Sequence, residues 1–123
     1  MRIFKSRWFQ HFARKEGITD AVLREAVARA EKDQIDADLG GEVIKQRIAR
    51  PGQGKSNGYR TIILYRRGAK AFFVYGFSKS ERANINVNDE HEFKEATKIV
   101  LSLSENELAV RLRRGDFVEA SSE

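Results

Sequence analysis

Three observations predict an α+β fold for this sequence. Two stretches of helical periodicity precede three strand-like runs, and helical periodicity returns only after them. The strand-like runs are separated by short glycine-containing connections of hairpin length. Each helical stretch also carries its own start or stop signal. The expected architecture is two N-terminal helices packed on a small antiparallel sheet, followed by C-terminal helices. A chain of 123 residues fits one domain, which usually takes roughly 100–200 residues. No linker divides it, and the last helix and tail begin near residue 104.

The elements follow in order. Arg2–Phe4 is a short apolar-centred run and reads as a first strand. Ser6 is a good N-cap for a helix through Lys15, which Gly17 ends. Trp8, Phe9, Phe12 and Ala13 share one face of that helix, so all four, Trp8 included, are expected in the core. Thr19 or Asp20 caps a second helix to about Asp33, with Leu23, Ala26, Val27 and Ala30 as its apolar stripe. The short join Glu16-Gly17-Ile18 makes the pair an αα-hairpin.

Ile35–Gly41 reads as a connection. Val43–Ala49, Tyr59–Tyr65 and Ala71–Phe77 then form an antiparallel meander, joined through Arg50–Gly58 and Arg66–Lys70. Asn88 or Asp89 caps the next helix, to about Leu103, with Phe93, Ala96, Thr97, Val100 and Leu101 on one face. Ser104-Glu105-Asn106-Glu107 is a capping box opening a short helix that stops at Gly115. Phe117–Glu119 reads as a last edge strand.

Composition removes several kinds of chemistry. There is no cysteine, which excludes disulfides, thiolate metal sites and thiol nucleophiles. The two histidines, His11 and His91, lie far apart in sequence with no partner cluster, so both read as structural and no metal or cofactor is expected. No apolar run approaches the roughly 18 residues of a membrane span. The N-terminal segment is broken by charges and is no secretory signal. A cytoplasmic protein is the expectation.

Charge is distributed unevenly. Residues 1–41 hold eight basic and seven acidic groups, residues 42–82 ten and two, and residues 83–123 five and nine. The middle third therefore holds more than the whole net excess of +5. A concentrated positive field of this kind attracts a polyanion. Strand alternation puts Lys45 and Arg47 on one face, and the hairpin brings Arg60 beside them. Lys79 and Arg82 lie just past the third strand, and Arg50 and Lys55 on the loop rim. Tyr59 or Tyr65 is the candidate stacking platform. Arg66, Arg67 and Lys70 read instead as charged turn residues that keep the sheet soluble.

Ala49–Ser56 matches a relaxed phosphate-loop pattern. A true phosphate loop opens a helix at its Lys-Ser pair. Here a turn signal, Asn57-Gly58, and a β-rich run follow, so that reading is rejected. Phosphodiester transfer in RNA remains open to a purely basic cluster. The substrate supplies its own 2′-hydroxyl nucleophile, and the protein aligns the attack and neutralises the developing charge. Arginine clamps phosphate oxygens with a planar fork, and a lysine among other cations can serve as base. The same cluster can equally be a binding surface alone.

The order of elements resembles the RelE/ParE superfamily of toxins from bacterial type II toxin–antitoxin systems. Lys45-Gln46-Arg47-Ile48 is similar to the Lys-x-[Lys/Arg] strand of RelE-like RNases, and Gly58-Tyr59-Arg60 to their Gly-Tyr-Arg. Phe72–Phe77 followed by Lys79-Ser80-Glu81-Arg82 resembles their apolar strand and Lys-x-Glu-Arg sequel. The segments IDADLGG, ARPGQGKSNGYR and FFVYGFSKSERANI resemble most the HigB-like, phage-associated subgroup.

The resemblance implies a RelE-like fold and a metal-independent, ribosome-dependent endoribonuclease that cuts mRNA and inhibits translation. Arg60 would assist the transition state, with Lys45 and Arg47 as base and phosphate ligand. Arg50, Lys55, Tyr59, Lys79 and Arg82 would complete the RNA-binding surface. The implied partners are the ribosome, mRNA and a cognate antitoxin, often a helix-turn-helix protein. Two positions depart from RelE: Ser80 stands where it has a further arginine, and Asn86 where it has a catalytic tyrosine. The general acid is thus open among Lys79, Arg82, Tyr59 and the ribosome. Two other readings share these residues: a non-catalytic ParE-like toxin that inhibits DNA gyrase, and a basic RNA-binding module.

Overall fold

The computed structural model describes residues 1–50, 54–79 and 84–122, and the backbone alone of residues 54–57. Strand β1 (Arg2–Ser6) runs into helix α1 (Arg7–Glu16), and α2 (Asp20–Glu31) follows. Next come β2 (Ala37–Gly40), β3 (Val43–Arg50), β4 (Gly54–Arg66) and β5 (Lys70–Ser78). Helices α3 (Val87–Val100) and α4 (Glu105–Arg114) and strand β6 (Phe117–Glu119) complete the chain. The six strands form one sheet in the order β2-β3-β4-β5-β1-β6. The β3-β4-β5 meander is antiparallel as expected, and β1 pairs parallel with β5. Among the described residues no helix is long and apolar enough to cross a membrane.

The helix ends show why these segments are helical. Ser6 Oγ accepts the Phe9 N–H, and Thr19 Oγ1 accepts that of Val22. Gly17 and Gly115 end α1 and α4 in the left-handed region, which costs an L side chain about 1–2 kcal/mol. The Ser104–Glu107 capping box forms as expected. Helix α3 starts earlier than its pattern suggested. Asn86, not Asn88 or Asp89, is the cap, because the Asp89 carboxylate reaches back to the Asn86 N–H from the third helical position. The segment read as a connection, Ile35–Gly41, contains β2. This edge strand ends at Gly40, which with Gly41 has a positive φ (+82° and +61°), and alternates half-buried Ala37 and Leu39 with exposed Asp38 and Gly40, over only four residues.

The sheet separates two apolar layers. On one side α1 and α2 bury Phe9, Ala13, Leu23, Ala26, Val27 and Ala30 against Ile44, Ile48, Ile63 and Phe73. On the other, Leu101 and Leu108 pack on Phe4, Val43, Ile62, Leu64, Phe72 and Phe117, joined by the half-buried Phe93, Ala96 and Val100. Two buried polar side chains are satisfied. Lys5 Nζ donates to Asp20 Oδ1 at 2.8 Å. Gln46 Nε2 donates to the carbonyls of Ala26 and Gln34, and its Oε1 accepts the Asp36 N–H at 2.7 Å. Gln46 thereby ties β3 to α2 and to the start of β2.

A candidate cationic site on the central strands

The β3–β4 register settles which basic side chains meet. Arg47 lies directly opposite Arg60, and Lys45 opposite Ile62. Directly opposed residues share a face, with Cβ atoms about 5 Å apart. Lys45, two residues along from Arg47, faces the same way. Three cations are therefore gathered on the α3 side of the sheet, just past the apolar layer that contains Ile62 and Leu64. Like charges directly opposed destabilise a sheet. Their concentration here is what an anion would relieve.

Neighbouring groups orient Arg47 and Lys45. The Asp36 carboxylate accepts the Arg47 backbone N–H at 2.7 Å and its Nη2 at 3.3 Å. Arg29 Nη1 approaches the same carboxylate at 3.6 Å, and Arg29 Nη2 donates to the Arg47 carbonyl at 2.6 Å. Lys45 Nζ donates to Asn84 Oδ1 at 3.1 Å, and that oxygen also accepts the Ile85 N–H at 2.9 Å. Asp36 and Asn84 escaped the sequence analysis. Both lie in segments quoted for the resemblance, IDADLGG and FFVYGFSKSERANI, but nothing in their spacing gave either a role.

The Gly58-Tyr59-Arg60 triplet acquires a physical meaning residue by residue. A Cβ on Gly58 would fall 1.9 Å from the Ile48 carbonyl oxygen, so only glycine allows this close approach of β4 to β3. Tyr59 points into the α1 layer. It is 2% exposed, meets Phe12 edge-on at 5.5 Å, and its hydroxyl donates to Glu16 Oε1 at 2.7 Å. Arg60, next along the strand, projects from the other face.

Several expected site residues therefore change place. Tyr59 cannot stack a base or donate a proton to a substrate on the Arg60 face, because strand alternation puts it on the opposite side and the core buries it. Tyr65 is buried on that same side, its hydroxyl bonded to Glu31, and burial first and then this carboxylate push its pKa up. Arg50 follows a break in the β3–β4 register, and its guanidinium carbon lies 5.5 Å from the Tyr59 ring centre. It belongs to the Tyr59 side, away from Lys45 and Arg60. Lys79 is exposed just beyond β5. Arg82, with Ser80 and Glu81, and the Lys55 side chain lie outside the described residues.

The three basic residues around the β4–β5 turn are paired off. Arg66 grips Glu42 through two hydrogen bonds of 2.9 Å, which, as their largest effect, hold the Glu42 carboxyl below its ordinary pKa. Arg67 pairs with Asp33, and Lys70 with Glu105 at 2.8 Å. These three cations are neutralised at the far end of the meander. The phosphate-loop reading fails on geometry, since Lys55 and Ser56 lie within β4 and not at a helix start. Asn86, where RelE has a tyrosine, spends its side-chain oxygen on the Asp89 N–H at 2.8 Å. His11 and His91 are exposed. Among the described residues no three His, Asp or Glu side chains converge as metal ligands.

A family model described as the RelE toxin of the RelE/RelB toxin–antitoxin system matches residues 1–120. The comparisons with curated proteins and with solved structures found no match.

Proposed function

The chain belongs to the RelE toxin family of toxin–antitoxin systems, and from that premise we propose that it is a ribosome-dependent endoribonuclease that acts on mRNA in the cytoplasm and is neutralised by a cognate antitoxin. The observation that carries this reading is the direct opposition of Arg47 and Arg60, with Lys45 on the same face. Such a cluster fits a phosphodiester. Arg60 clamps the non-bridging oxygens and neutralises the charge that grows on the phosphorane. Arg47, held by Asp36, binds the same or the adjacent phosphate.

Lys45 accepts the 2′-hydroxyl proton in its neutral form as the 2′-oxygen bonds to phosphorus. The bond from phosphorus to the 5′-oxygen breaks, leaving a 2′,3′-cyclic phosphate and a 5′-oxygen that takes up a proton. Lys79 is the described candidate for that donor, since Tyr59 is buried on the other face. A helix-turn-helix antitoxin and the HigB-like subgroup remain part of this proposal.

The test is mRNA cleavage in a reconstituted translation reaction, with and without ribosomes, with the cut ends mapped by primer extension. Cuts that require ribosomes and disappear in Arg60→Ala support the reading. Intact mRNA with folded wild-type protein overturns it and directs attention to gyrase inhibition or RNA binding alone.

A further inference from the structure

Trp8, the chain's single tryptophan, is not in the core: it is 46% exposed. The cause is topological. Strand β1 pairs with β5 only over Lys70–Phe73, because the chain turns into α1 at Arg7. Among the described residues no strand flanks the second half of β5 on that side. The indole lies there instead, 5.3 Å from the Phe12 ring centre and 4.6 Å from that of Tyr75, close to parallel with both.

Tyr75 links this indole to the cationic face. A register shift at Ile62/Ile63 leaves Val74 as an extra residue, so that Tyr75 lies opposite Ile62. Ile62 in turn lies opposite Lys45. Tyr75 is thus two strand spacings, about 10 Å, from Lys45 across the sheet. The Tyr75 ring is 6.0 Å from that of Phe77, whose backbone lies opposite Arg60. An aromatic row, exposed at Trp8, half-buried at Tyr75 and buried at Phe77, therefore runs up to a cluster of three cations. Single-stranded nucleic acid is bound by this combination, cations for the backbone and aromatic rings for the bases.

We propose that the exposed part of Trp8, backed by Tyr75, is a base-stacking subsite for the single-stranded RNA whose phosphates lie on Lys45, Arg47 and Arg60. The inference rests on the RNA reading of that face and extends it to a place no motif marks. The occupant is a nucleobase because the adjoining charge suits a polyanion, and an unpaired base is the apolar group that a polyanion brings with it.

The experiment titrates the full chain with a short single-stranded RNA bearing 2′-O-methyl riboses, which removes the nucleophile. It is read by Trp8 emission and by the anisotropy of end-labelled RNA. The expected result is saturable quenching that an abasic version of the same RNA does not produce. Trp8→Ala should weaken binding about 5- to 150-fold, and Trp8→Phe should restore most of it. Absence of quenching with the intact RNA overturns the subsite, as does equal quenching by the abasic RNA or an unchanged Kd in Trp8→Ala. Loss of antitoxin binding in Trp8→Ala with RNA affinity unchanged also overturns it and makes the patch a protein contact. Should Trp8→Ala fail to fold, the contrast between intact and abasic RNA on the wild type decides alone. Base-dependent binding without mRNA cleavage sustains the subsite while refuting the nuclease. Cleavage by the wild type without quenching does the reverse.

Discussion

Asp36 holds Arg47 by both its backbone and its side chain, accepting the N–H at 2.7 Å and Nη2 at 3.3 Å. Gln46, fully buried beneath, pins the Asp36 backbone through its own 2.7 Å bond. A carboxylate outside the cationic trio thus sets where one member points. Removing it frees a side chain rich in rotamers and leaves a strand N–H without its acceptor. Asp36→Ala should lower the cleavage rate at saturating ribosomes about 3- to 10-fold and stability by about 1 kcal/mol. Asp36→Asn, which keeps an acceptor oxygen, should recover most of the stability. Rate and urea midpoint measured on the same preparations test both.

Arg60 should resist replacement by lysine. A point-like ammonium cannot reproduce the planar two-pronged grip on phosphate oxygens. Arg60→Lys is therefore expected to lose about 100-fold or more in cleavage rate, close to Arg60→Ala, by analogy with the loss of one charge-stabilising donor elsewhere. Near-wild-type cleavage by the lysine variant would show that charge alone suffices there.

Gly58 and Gly17 should respond differently to alanine. At Gly58 the new methyl meets the Ile48 carbonyl at 1.9 Å, backbone against backbone. Gly58→Ala should therefore open the β3–β4 pairing and cost more than about 3 kcal/mol, since such overpacking typically costs about 1–3 kcal/mol where side chains can yield. At Gly17 there is open space and only the left-handed φ of +70° to bear, about 1–2 kcal/mol. Thermal unfolding of the two variants gives the comparison.

The Lys5–Asp20 pair should appear in acid. Burial raises the Asp20 pKa, but bonds from Lys5 and from the Ser121 N–H outweigh it and hold the carboxyl below its ordinary value. A depressed folded-state pKa contributes stability that is present above the unfolded value, about 3.9, and is lost as pH falls through the folded one. Unfolding free energy should decline below about pH 4 in the wild type and less steeply in Asp20→Asn. Asp20→Ala, which strands the buried Lys5 ammonium, should cost roughly 2–3 kcal/mol at neutral pH. That is less than the ~3–5 kcal/mol of fully buried pairs, because Asp20 is partly exposed. Denaturant titrations across pH 3–7 would test this.

Much of this molecule was legible from residue order alone, because the signals are local. Periodicity placed α1, α2 and α3, a capping box and a stop glycine placed α4, and Ser6, Thr19 and Ser104 act as the caps their positions suggested. Alternation along β3 and β4 already put Lys45, Arg47 and Arg60 within reach of one another. Tertiary structure decided the rest, since it depends on pairings between distant segments. The parallel docking of β1 on β5 ends at Phe73 and leaves Trp8 at the surface, although its helical periodicity placed it in the core. The packing of α1 on the sheet turned Tyr59 from a stacking candidate into a buried partner of Phe12 and Glu16. A single extra residue, Val74, put Tyr75 on the cationic side. One residue's slip reverses a strand's faces, and no local pattern records where such a slip occurs.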